Sequence, residues 1–141
     1  MSRTLAMIAL RPQYWEMYKD GSKIWELRKI THSPKCVDGL VVYATAPVSR
    51  IVGEVDLVSC YSAYVNDLWD TVKDGCGITR KQYDRYYQGH DIARAYRLGN
   101  VWEYTPSIPP LLHFQGFFYL LQGRYEDMLT RTERRLVHAA R

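Results

Sequence analysis

The chain has 141 residues, the size of one ordinary domain, and a chain of that length buries about two-thirds of its unfolded surface without metal or disulfide support. With 47% hydrophobic and 24% charged residues, its composition excludes disordered and fibrous classes, and no apolar run approaches the roughly 20 residues of a membrane-spanning helix. Nineteen Lys and Arg against fifteen Asp and Glu give a net charge of +4, a mild bias toward polyanionic partners.

Thr4–Leu10 is a short apolar run and predicts a strand. Arg11-Pro12 opens a helix, since proline suits the first helical turn. Tyr14, Met17 and Tyr18 recur at helical spacing, and Asp20-Gly21 stops the helix. Lys23–Lys29 alternates as a second strand, residues 31–39 form a polar loop, and Leu40–Thr45 and Ile51–Val58 predict two more strands. In the last of these Glu54 and Asp56 share a face opposite Ile51, Val55 and Leu57, which reads Glu54 as solvent-facing.

Val65, Leu68, Trp69 and Val72 mark one amphipathic helix, and Thr79-x-x-Gln82 is a capping box for another that ends by Gly89. Gly99-Asn100 between two alternating runs, Asp91–Leu98 and Val101–Tyr104, predicts a two-residue hairpin. Prolines 106, 109 and 110 then break pairing before a last strand at Phe117–Leu121. A tail helix from about Tyr125 shows Tyr125, Met128, Leu129, Thr132 and Leu136 on one side and Arg131, Arg134, Arg135 and Arg141 as a basic face. Short strands out of strict alternation with helices argue against a doubly wound sheet. They predict an α+β fold, a small barrel with helices packed outside it. The division is a main domain over 1–122 and an amphipathic C-terminal helix over 123–141.

Gly-rich phosphate loops, GxSxG, HExxH and CxxC patterns are absent from the sequence. His32 and Cys36 lie four apart, but two ligands do not make a metal site, so neither metal nor cofactor is expected. Cys36, Cys60 and Cys76 cannot all pair, and each is read as a buried or idle thiol in a reducing cytoplasm. The six apolar residues before Arg11 are too short for a secretory signal.

The informative stretch is Gly21-Ser22-Lys23-Ile24-Trp25-Glu26-Leu27-Arg28. Alternation puts Glu26 and Arg28 on one strand face, with Trp25 and Leu27 on the other. If Lys23 sits in the turn leaving the helix, its ammonium swings over the strand end. Lys23, Glu26 and Arg28 then converge near Arg11. An exposed edge strand with alternating charge gives the same pattern.

Gly21-x-Lys23-x-x-Glu26-x-Arg28 resembles the GxKxxExR signature of ASCH domains, RNA-associated relatives of the PUA fold. The strand and helix before it, Val42–Pro47 and Ile51–Val55 after it, and the later helices agree, so the resemblance spans roughly residues 4–121. It implies a PUA-like β-barrel whose cleft is floored by Lys23, Glu26 and Arg28 and holds RNA or a nucleotide. Some members are reported to cleave RNA, and a deacylating branch carries a nucleophilic Thr where this chain has Glu26.

Three readings follow. In the first, Lys23, Arg28 and Arg11 hold phosphate while Tyr14, Tyr43 or Trp25 stacks a base. In the second, Lys23 or Glu26 acts as a base in ribonuclease or nucleoside amidohydrolase chemistry, with Glu54 as a further carboxylate. In the third, the Arg-rich tail helix binds protein or DNA.

Overall fold

The computed structural model describes residues 3–31, 33, 35–110 and 116–140; His32 and Arg141 lie outside them. Strand β1 (Leu5–Leu10) is followed by helix α1 (Pro12–Asp20), β2 (Trp25–Lys29), β3 (Gly39–Ala44) and β4 (Arg50–Tyr64). Then come α2 (Val65–Val72), α3 (Arg80–Tyr86), β5 (Ile92–Ile108), β6 (Phe117–Leu120), α4 (Gln122–Leu129) and β7 (Glu133–His138). The sheet runs β2-β5-β4-β3-β1-β6, with β7 also paired to β5. Among the described residues only β1 and β3 pair in parallel; the other pairings are antiparallel. Long, bulged β4 and β5 curl this mixed sheet into a half-barrel, with four helices among the described residues, an α+β PUA-like fold.

Strands β1 and β3 read as unbroken apolar runs because both of their faces are covered. Ala6, Ile8, Leu10, Leu40, Val42 and Ala44 meet Trp15 and Tyr18 of α1 in one core. Leu5, Met7, Val41 and Tyr43 meet Tyr104, Ile108, Tyr125 and Met128 in a second. A third lies under α2 and α3, where Leu68, Val72, Tyr83 and Tyr87 pack on Trp25 and Leu27 of β2. Among the described residues no helix is long and apolar enough to cross a membrane.

Helix α1 stops where Gly21 takes a left-handed φ of 81°, which an L side chain rarely adopts. The capping box of α3 is present in both directions, Thr79 Oγ1 accepting from the Gln82 amide and Gln82 Oε1 from the Thr79 amide.

Three expectations are corrected. Gly99-Asn100 is no hairpin turn, for β5 runs unbroken through it. A Cβ at Gly99 would lie 2.8 Å from Val58 Cγ1 and 3.0 Å from the Asp56 carbonyl, so this glycine serves a close approach of β5 to bulged β4. The tail helix ends at Leu129, and Glu133–His138 becomes strand β7 on the 101–105 edge of β5. The open backbone edge of β5 outweighs a helical continuation there. Cys36 and Cys60 are not idle thiols: they form a disulfide with Cα atoms 5.9 Å apart, leaving Cys76 free and buried. The loop after β2 folds back over the sheet and brings the two thiols together, with Arg94 donating to Ser33 O at 3.1 Å and to Cys36 Sγ at 3.3 Å.

Candidate functional site

Because α1 ends at Gly21, the chain turns back on itself and the Lys23 amide donates to Met17 O at 3.1 Å. Lys23 therefore sits in the turn before β2, not in the strand. The backbone amides of Ile24 and Trp25 both donate to Gly75 O, which draws the 75–77 loop over the start of β2. Lys23 Nζ then donates to Cys76 O at 2.5 Å and lies 5.4 Å from the centre of the Tyr14 ring.

Glu26 and Arg28 share one face of β2, as alternation requires, but the strand is no exposed edge. Lys23, Glu26 and Arg28 are 6%, 5% and 9% exposed. Tyr18 of α1 donates to Glu26 Oε1 at 2.5 Å and Arg28 Nε donates to Glu26 Oε2 at 3.0 Å. The carboxylate is thus satisfied on both oxygens, which burial of a charge demands.

These side chains line a cavity of about 410 Å³. Arg11 and Tyr14 of the α1 start join Lys23, Glu26 and Arg28 there; Ile78, Gln82, Arg85 and Tyr86 form the facing wall. Burial holds the Lys23 ammonium below the ordinary lysine range, with Glu26 and Cys76 pulling it back up and Arg28 pushing it further down. For Arg28 burial works against the charge, but Glu26 and two tyrosines outweigh it and the value is raised. The Tyr18 phenol is pushed well up, first by burial and then by the adjoining Glu26 charge. A cleft with a depressed amine beside a paired carboxylate can hold an anion and can accept a proton.

Three of the expected residues lie elsewhere. Tyr43 is 5% exposed and packs in the second core, away from the cavity lining. Glu54 is not solvent-facing: it is 2% exposed, accepting from Tyr104 at 2.9 Å, Tyr125 at 2.7 Å, Arg3 at 3.1 Å and Arg134 at 3.2 Å. Those partners arrive from both ends of the chain and take the carboxylate out of the cleft. Trp25 faces the helices of the third core, with Arg97 over its ring. The α3 wall was missed. Gln82, Arg85 and Tyr86 stand at i, i+3 and i+4, a helical stripe legible in the sequence once α3 is known to face β2.

No family model matches the chain. Over 96 residues it is 29% identical to an ASCH domain-containing ribonuclease of Zymomonas mobilis subsp. mobilis, a stretch covering 68% of this chain and 65% of that protein. A 56-residue stretch is 38% identical to large ribosomal subunit protein uL22 of Ureaplasma parvum serovar 3, covering 40% of this chain and 18% of that protein. The chain thus spans less than two-thirds of either relative's length. The crystal structure of ASCH from Zymomonas mobilis superposes with a TM-score of 0.80 at 22% identity, over 92% of this chain and 96% of that one. The chain has the ASCH fold, and its sequence resembles the ASCH domain proteins.

Proposed function

We propose that this protein binds RNA or a nucleotide in the cleft between β2 and α3. The observation that carries the reading is the convergence of Lys23, Arg28 and Arg11 with Tyr14 and Tyr86 around one cavity. Arg28 spends its Nε proton on Glu26, which leaves the outer guanidinium protons for phosphate oxygens. The relative named as a ribonuclease supports the same ligand class. Labelled single-stranded RNA titrated by fluorescence anisotropy tests it. Lys23→Met keeps the buried stem, removes the charge and is expected to weaken binding about tenfold, as loss of one charge-assisted contact does. Arg11→Ala is expected to reduce the salt slope by about one phosphate contact. Unchanged affinity in both variants would refute the cleft.

The depressed Lys23 favours a second reading, RNA cleavage. The neutral amine takes the proton of a 2′-hydroxyl, whose oxygen attacks the adjacent phosphorus as the 5′-oxygen leaves with a proton from water, and Arg28 offsets the charge on the phosphorane. Glu26 is bound to Tyr18 and Arg28 and does not replace the nucleophilic Thr of the deacylating branch, so amide hydrolysis is the weaker form. Wild-type cleavage lost in Lys23→Met supports the step; cleavage surviving it excludes Lys23.

A further inference from the structure

The α3 wall of the cleft carries a chemical bias that the Lys-Glu-Arg floor does not explain. Gln82 belongs to the capping box, where its Oε1 accepts from the Thr79 amide at 2.8 Å. Only an oxygen can accept there, so the cap fixes which end of the amide is which. Its NH2 group has no protein partner among the described residues, and Gln82 lines the cavity. One helical step on, exposed Arg85 lines the same wall, and Arg11 stands at the α1 side; neither guanidinium has a partner among the described residues. The carboxylate of the cleft is already taken up by Tyr18 and Arg28. What Gln82, Arg85 and Arg11 leave open is therefore donors, and two of them are full cations.

We infer that Gln82 is a specificity-determining residue: its cap-oriented NH2 donates to a phosphate oxygen of the ligand beside Arg85, so the cleft selects phosphorylated nucleotides over neutral nucleosides. This rests on the cleft being the binding site. The phosphate belongs either to an RNA strand or to a free nucleotide, and the two probes separate these sources.

The test measures binding of a labelled single-stranded RNA, a nucleoside 5′-monophosphate and the same nucleoside, each with a thermal midpoint for the protein. Gln82→Glu keeps an oxygen for the Thr79 amide but turns the donor into an acceptor. It is expected to hold the midpoint and weaken phosphate binding about tenfold or more. Gln82→Ala removes the donor together with the side-chain half of the capping box, while the residue-82 amide still donates to Thr79 Oγ1; it weakens phosphate binding and lowers the midpoint. Thr79→Ala lowers the midpoint while keeping the Gln82 donor, and its affinity stays at the wild-type level. Loss with both phosphate probes places the acceptor on a single nucleotide; loss with RNA alone places it on the strand. Wild-type affinity in Gln82→Ala, equal weakening in Thr79→Ala, or a nucleoside that binds as tightly as its monophosphate overturns the inference. Lys23→Met and Arg11→Ala both with wild-type affinity for all probes overturn the cleft reading itself, whatever Gln82 does.

Discussion

Glu26 and Glu54 are both carboxylates on alternating strands, and their fates differ because of what reaches them. Glu26 meets Tyr18, eight residues away in sequence, and Arg28, two away, so local alternation placed it correctly. Glu54 is held by Arg3 and Arg134, 51 and 80 residues away, and strand periodicity carries no information about chain ends closing over a sheet. Glu54→Ala is expected to cost about 2 kcal/mol, since it leaves the buried Tyr104 and Tyr125 hydroxyls without their acceptor, while leaving RNA affinity intact; urea melts and anisotropy check both. For Lys23 the sign is opposite to an ordinary lysine role. Its folded pKa is lowered, so the neutral base exists at lower pH than the usual ~10.4. A cleavage rate should then rise with pH and level off below that value, and Lys23→Met should abolish the inflection. A rate that falls with rising pH would rule out Lys23 as the base.

At the scale of elements, signals made of neighbouring residues were legible. The α1 start at Pro12, its stop at Gly21 and the α3 capping box all follow from local backbone chemistry. Signals decided by pairing were not. Gly99-Asn100 has hairpin composition, yet β5 continues because bulged β4 supplies partners along both halves of it. Arg134 and Arg135 fit a helix face, yet they lie on β7, where they reach Glu54 and Glu103. That engagement leaves the tail less free for a protein or DNA partner than a basic helix would be. The disulfide ties the loop after β2 to β4 across a separation of 24 residues. Its removal by Cys36→Ser is expected to cost about 3 kcal/mol through loop-closure entropy. Coincident urea melts with and without reductant would show that the tie contributes nothing.

Across the whole molecule, the curled sheet separates two polar clusters. The Glu54 cluster joins both chain ends beside the second core, where Tyr125 contributes to each. The Lys23 cluster lies between the first and third cores, open to solvent under α3. Residues 21–28 announced the floor of that cleft. Its α3 wall depended on how three cores stack, which no single window of sequence encodes. The net charge of +4 then favours an anionic ligand without choosing between the cleft and the tail. Backbone amide mapping by NMR during titration with a short single-stranded RNA chooses directly. The account predicts shifts confined to Arg11, Tyr14, Lys23, Glu26, Arg28, Gln82, Arg85 and Tyr86 and their neighbours. Shifts concentrated instead at Arg131, Arg134 and Arg135, with the cleft unmoved, would contradict it.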